Sequence, residues 1–220
     1  MGEFRCTAQL RILEAQRLKG GFGGAEPLKG MLSLIKGGTM GIFLTGGRIV
    51  LRTIQRCDLK ELENLMSDRE IGELSGEVFP MTERSMEDFY EKCQKTDDRI
   101  WFVIVDRETG KIIGETGFLR IFTPWRTADY SLIIWDKNYW KKGFGKETAE
   151  LMLDYGFNSL NFHRLAIGVA GFNENGLKFW KSIGFNEEGK LKDGYFCKGK
   201  YHDFIMMSLI ENEYRKRNLT

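Results

Sequence analysis

Cysteine and histidine are scarce in this chain. The four cysteines, Cys6, Cys57, Cys93 and Cys197, are scattered without a Cys-x-x-Cys pair, and only two histidines accompany them. That spacing excludes a disulfide framework and a zinc-type ligand set. No metal is expected, and the thiols are expected to sit buried or idle in a reducing, cytoplasmic compartment. Charge of one sign is scarce too: 33 basic and 31 acidic residues leave a net charge of +2, which argues against a general nucleic-acid binder. No apolar run approaches the ~18 residues of a transmembrane helix, so no membrane partner is expected. No apolar core with a small-residue cleavage site follows Met1, so no signal peptide is expected. Cys6 stands where N-myristoylation requires serine or threonine. No internal repeat is visible.

What is present suits one domain. A chain of 220 residues with 42% apolar content has room for a substantial core. The first 39 residues differ from the rest. Gly20, Gly21, Gly23, Gly24, Gly30, Gly37 and Gly38 crowd a span with no core-forming pattern. They are expected to be a foreign leader or a disordered arm, with the domain running from Met40 to Thr220.

The remainder reads as alternating strands and helices. Arg48–Ile54 alternates as a first strand, Asp58 is positioned to cap a helix through Met66, and Thr82 or Ser85 to cap a second helix through Lys95. Trp101–Val105 is a buried strand, Asp106–Gly110 a hairpin turn, and Lys111–Phe122 its partner, thinned at Gly114 and Gly117. Pro124 breaks the pattern before a strand over Ala128–Trp135. Leu165–Ala170 is a further strand, Tyr195–Lys200 a hairpin, and Phe204–Leu209 a last strand.

The most informative stretch is Trp140-Lys141-Lys142-Gly143-Phe144-Gly145-Lys146-Glu147. It lies between the apolar strand ending at Trp135 and a segment with helical apolar spacing from Thr148 to Phe157. A strand, a basic glycine-containing turn and a helix start form an anion site: amides converge, the helix dipole adds positive potential, and glycine lets a phosphate approach the backbone. An ordinary turn into a helix is the other reading of these residues. A second strand–helix unit follows, with Asn173 at the start of a helix through Ile183 that stops at Gly184-Phe185.

These residues resemble the GNAT superfamily of acetyl-CoA-dependent N-acetyltransferases. Its pyrophosphate loop has the form Gln/Arg-x-x-Gly-x-Gly/Ala, matched by Trp140 to Gly145 except at the first position. Its second signature, Asn-x6-aromatic-x3-Gly-Phe, is matched by Asn173, Trp180 and Gly184-Phe185. Asp154-Tyr155-Gly156-Phe157, Ile183-Gly184-Phe185 and Lys198-Gly199-Lys200-Tyr201-His202-Asp203 are similar to the branch holding spermidine and ribosomal-protein N-terminal acetyltransferases. The resemblance spans roughly residues 46–211.

It implies an α+β, three-layer fold: a mixed, mostly antiparallel twisted sheet of about seven strands, with a splayed parallel pair and helices on both faces. It also implies acetyl transfer to a primary amine of a small molecule or a protein N-terminus by direct attack. Acetyl-CoA is then the co-substrate, bound by Ile133, Ile134 and Trp135 at the splay. The loop Lys141, Lys142, Gly143, Phe144, Gly145 and Lys146 holds its pyrophosphate, and Asn173, Phe179 and Trp180 complete the site. A non-catalytic acetyl-CoA-binding regulatory module is the alternative. Homodimers are expected from relatives that pair through terminal strands.

The same resemblance assigns the chemistry. Asp129 occupies the place of the family's strand carboxylate and is the expected base, a salt bridge to Arg126 or a lysine being the other reading. The Ile134 amide would hold the oxyanion. The family's tyrosine acid is replaced by Trp180, whose indole cannot usefully give up a proton, and the alternative serine by Gly176. Tyr195 is the remaining side-chain candidate, beside water or direct thiolate departure. Acidic positions of spermidine acetyltransferases align with Gly117 and Arg120, which argues against a simple polyamine site. Glu70, Glu73 and Glu77 are read as an acidic loop, of which Glu73 and Glu77 are the candidates to attract a cationic amine.

Overall fold

In the computed structural model, residues 41–95 and 97–217 are described; the expectations for residues 1–39 lie outside them. A hairpin of β1 (Ile42–Thr45) and β2 (Ile49–Arg52) leads into three helices, α1 (Leu59–Met66), α2 (Arg69–Ser75) and α3 (Glu83–Gln94). The strands β3 (Arg99–Asp106), β4 (Ile112–Phe122) and β5 (Thr127–Ile134) follow. Then come α4 (Phe144–Asp154), β6 (Arg164–Ala170), α5 (Glu174–Ile183), β7 (Asn186–Cys197), β8 (Lys200–Ile210) and α6 (Glu211–Arg217). The sheet order is β1-β2-β3-β4-β5-β6-β8-β7. Every neighbour pair is antiparallel except β5–β6.

The sheet thus has eight strands among the described residues, one more than expected. The addition is β1, four residues too short to show a period. α2 was also unread. It lies where an acidic loop was expected, so Glu70 and Glu73 stand on a helix and only Glu77 follows it. Asp68 caps α2 by accepting the Glu70 and Ile71 amides at 3.0 and 3.2 Å. Both ends were marked, by Asp68 and Gly76, but seven residues give too little periodicity to read.

Two local predictions are met in instructive ways. Thr82 and Ser85, offered as alternative caps, act together: Thr82 Oγ1 accepts the Ser85 amide at 3.1 Å and Ser85 Oγ accepts the Thr82 amide at 2.8 Å, a capping box. Asp58 stands at the cap position of α1 but makes no capping bond. Its carboxylate turns back to accept from the buried Arg52 guanidinium at 2.6 and 2.8 Å and from the Gln55 amide at 2.7 Å. This pair staples α1 to β2. Removing one partner would strand a buried charge.

Pairing registers divide the sheet into two faces. Thr116 and Phe118 pair with Leu132 and Tyr130, so these side chains share one face. There Phe118 meets Tyr130, Tyr155 and Phe162, and Tyr130 meets Trp180 of α5. Glu115 and Gly117 pair with Ile133 and Ser131 and share the opposite face, where Trp101 meets Phe89 of α3 edge-on. A Cβ at Gly117 would lie 2.3 Å from the Ile100 carbonyl and 2.5 Å from the Trp101 ring. Glycine there leaves the space the indole occupies.

Candidate active site

The site begins where β5 and β6 part. They pair only through Thr127↔Arg164, Ala128↔Leu165 and Asp129↔Ala166. Beyond that point β5 continues along β4 as far as Ile134, and β6 along β8 as far as Ala170. The Trp135 amide donates back to Ile113 on β4 at 2.9 Å. By the alternation of an extended strand, Ile134 turns its N–H and C=O toward the open edge. The Trp140 indole N–H donates to that Ile134 carbonyl at 2.8 Å. So Trp140, the departure from the family loop, ties the loop to the splayed strand.

After a 3₁₀ turn over Lys137–Tyr139, Lys141 (φ 56°) and Gly143 (φ 86°) take left-handed backbone conformations, and α4 starts at Phe144. Gly143 caps α4 without a side-chain bond, and the Glu147 amide is the first to close a helical turn, onto the Gly143 carbonyl at 3.0 Å. The amides of Phe144, Gly145 and Lys146 therefore point out of the helix start, with the dipole behind them. Lys141, Lys142 and Lys146 are exposed around them. Arg48 braces the loop from the β1–β2 turn, donating to Glu147 Oε2 at 2.9 Å and to the Lys142 carbonyl at 2.8 Å, with its guanidinium over Phe144. A Cβ at Gly143 would fall 3.0 Å from Arg48 Nη2, whereas one at Gly145 meets only Phe179 and Ile134 at ordinary distances. The backbone conformation calls for glycine at 143 (φ 86°), whereas at 145 a Cβ would meet only ordinary van der Waals contacts. Extended free backbone on β5 beside amides at a helix start fits a pantetheine arm followed by a pyrophosphate.

Of the remaining predicted coenzyme residues, Ile134 and Phe179 lie against the loop at Gly145. Ile133, Ile134 and Phe179 are half-buried, and Trp135 is buried on the opposite face from Ile134. Asn173 Oδ1 accepts the Gly176 amide at 2.9 Å, so it caps α5. Trp180 packs edge-on against Tyr130, Phe179 and Phe185 and belongs to the core cluster.

On the other face the acceptor-side candidates sit in different circumstances. Asp129 accepts from both Nε and Nη2 of Arg120 on one oxygen, so its partner is Arg120, not Arg126 or a lysine. Tyr195 donates its hydroxyl to the Glu73 carbonyl at 2.8 Å, and burial pushes its pKa up, which makes the proton harder to release. Glu73 is ion-paired to Lys198 at 2.8 Å and Arg69 at 3.3 Å; its pKa is lowered chiefly by the bond to Lys198. Glu77 is exposed. Sequence reasoning missed Glu115. It is 3% exposed on β4, opposite Ile133, and its carboxylate accepts from Trp101 Nε1 at 3.3 Å. The available signal was a lone carboxylate inside an apolar strand, masked by the glycines nearby at 114 and 117. Among the described residues no group of His, Cys, Asp and Glu is arranged to hold a metal, and no helix is long and apolar enough to cross a membrane.

Comparison with known proteins agrees with this geometry. An acetyltransferase (GNAT) domain model matches residues 48–186. An uncharacterized N-acetyltransferase of Bacillus licheniformis is 31% identical over 171 residues, covering 76% of this chain and 95% of that protein. Spermidine N(1)-acetyltransferase of Vibrio cholerae is 29% identical over 171 residues, covering 78% and 98%. The crystal structure of the Vibrio cholerae spermidine N-acetyltransferase with CoA and spermine superposes with a TM-score of 0.70 at 28% identity, covering 76% of this chain and 98% of that one. The splayed strands, the helix-start loop and these likenesses lead to one conclusion: the chain belongs to the GNAT acetyltransferase family and is an acetyl-CoA-dependent N-acetyltransferase.

Proposed function

We propose that this enzyme acetylates a primary amine carried by a small cationic molecule. The observation that carries the reading is the pairing of two unlike sites across one gap in the sheet. On one side lie the helix-start amides of Phe144 to Lys146; on the other lie the carboxylates Glu115, Asp129 and Glu77. The first suits a polyanionic donor, and the second an ammonium acceptor. The likeness to a structure solved with CoA and spermine supports the same class of acceptor.

In this reading the β5 edge and the loop Lys141–Gly145 orient the thioester, and the Ile134 amide receives charge developing on its carbonyl oxygen. A carboxylate of the acceptor face takes the amine's proton. The leaving thiolate takes its proton from water or from the attacking nitrogen, since Trp180 is packed in the core and Tyr195 is committed to Glu73. Glu77 draws in the cation. Thiol release measured with acetyl-CoA and a panel of polyamines, amino sugars and N-terminal peptides tests the proposal. Polyamines should turn over fastest. Turnover confined to peptides would reassign the acceptor to a protein α-amine, and none with any amine would favour a coenzyme-binding regulatory module.

Two finer proposals accompany this one. The domain begins at Met40 and works in the cytoplasm. Copies pair as a homodimer through β7, an edge strand that is exposed along nearly its whole length and carries the exposed Leu191 and Phe196, with the exposed Tyr201 beside it on β8. Light scattering would read that assembly.

A further inference from the structure

The acceptor face holds one carboxyl that the fold has taken out of water. Glu115 projects from the middle of β4, within electrostatic reach of Cys93 on α3 and of Glu77 in the segment joining α2 to α3. It lies directly across from Ile133, which puts their Cα atoms about 5 Å apart and one residue from the open edge at Ile134. Two indoles flank the carboxyl, Trp101 half-buried and Trp135 buried. Trp101 donates to it at 3.3 Å. Trp135 Nε1 is buried and makes no hydrogen bond, yet lies close enough to favour the carboxylate's charged form. A buried donor without an acceptor is costly, and here its nearest use is that carboxylate. In the segment joining α2 to α3, which carries Glu77, Val78 and Phe79 are 64% and 81% exposed, and Gly76 turns the chain with φ 91°.

We propose that Glu115 is the proton acceptor for the attacking amine, an assignment that rests on the acetyl-transfer reading above. The carboxylate removes one proton from the bound ammonium and becomes a carboxylic acid. The freed lone pair forms the C–N bond at the thioester carbonyl carbon. Collapse of that adduct breaks the C–S bond, and the second N–H proton goes to the departing thiolate. Glu115 then returns its proton to solvent. Asp129 shares the face but would first have to release Arg120.

The group's surroundings suit a base near neutrality. Burial raises the Glu115 pKa, the Trp101 bond opposes it, the negative charge of Glu77 raises it further and Trp135 opposes again, leaving it pushed up to about 7. The other ionisable groups packed here leave that balance to Glu77. Cys93 on α3 has its thiol pushed up to about 12 by burial and stays neutral. Glu61 on α1 accepts the Ile112 amide at 3.3 Å, and Arg99 on β3 is paired with Asp98 at 3.1 Å.

The test is thiol release with acetyl-CoA and spermidine between pH 5.5 and 9, for the wild type and three variants. Wild-type kcat/KM should rise through an inflection near pH 7. Glu115→Gln should lower it by ~10²–10⁴-fold and abolish that inflection, while calorimetry finds acetyl-CoA affinity unchanged within about twofold. Trp101→Phe removes a donor to the charged form and should move the inflection to higher pH; Glu77→Gln removes a like charge and should move it to lower pH. A purely structural Glu115 would leave both inflections where they were. Should Glu115→Gln misfold, the opposite displacements in the other two variants decide the matter, and their absence overturns the proposal. Full activity in Glu115→Gln overturns it as well. A wild type inactive with spermidine but active with another amine repeats the test on that amine. A wild type inactive with every amine overturns the acetyl-transfer reading itself.

Discussion

The two sides of the sheet gap are built by opposite means. The proposed coenzyme side is a single continuous stretch, Trp140 to Glu147, which offers backbone amides at the start of α4. The acceptor side is assembled from Glu77 after α2, Trp101 on β3, Glu115 on β4, Asp129 and Trp135 around β5, and Tyr195 on β7. Its working atoms are side chains, and their state depends on burial and partners. A backbone site should tolerate side-chain replacement, such as Trp140 at the loop's first position. A side-chain site changes character when a neighbour takes one of its groups, as Arg120 does to Asp129 and Lys198 to Glu73.

The largest effect expected to sharpen this contrast is on stability against pH. The folded Glu115 carboxyl titrates at about 7 against an ordinary 4.5. Between those values the folded protein keeps a proton that the unfolded chain has lost, so this group's contribution falls as pH rises through that window. The stability of Glu115→Gln relative to wild type should therefore climb from about pH 4.5 to 7 and then level off. The gain should be on the order of a few kcal/mol, read by urea denaturation at each pH. A difference that is flat with pH would mean the carboxyl is not desolvated in solution.

On the coenzyme side, Gly143→Val and Gly145→Val should each weaken acetyl-CoA binding at least tenfold, about 1.4 kcal/mol. They should differ in melting. Gly143→Val forces a β-branched residue to φ 86° beside Arg48 and should melt lower, whereas Gly145→Val meets only ordinary contacts and should melt near wild type. Calorimetry and thermal scans separate the two, and unchanged affinity in both would remove the phosphate from this loop.

Asp129→Asn tests the other carboxylate. With its oxygen already held by Arg120, its loss should cost less than about tenfold in kcat/KM. A loss larger than that of Glu115→Gln would return the base to Asp129. A smaller effect belongs to Glu77→Gln, which should raise KM for a dicationic amine roughly two- to fivefold at low salt and lose that effect as salt screens the exposed charge. The smallest is expected from a chain starting at Met40, whose activity and melting temperature should match the full-length protein. A clear loss of either would place residues 1–39 within the working unit.

The amino-acid sequence by itself determined the order of the longer elements (though not β1 or α2), the loop at Gly143 and Gly145, the second signature from Asn173 to Phe185, and with them the family and the coenzyme. These are local features: a turn glycine, a helix cap and an apolar period act on residues a few positions apart and leave marks in a short window. It also marked Thr82 and Ser85 as alternative caps of α3; that they act as a pair came from the structure. The tertiary structure alone decided which carboxylate is free, which is paired and which is buried. Asp129 and Arg120 are nine positions apart, Glu73 and Lys198 more than a hundred, and Glu115 meets Trp101 and Trp135 only because three strands lie side by side. Ionisation follows solvent exclusion and neighbouring charge, and those are properties of the packed chain, not of any stretch of it.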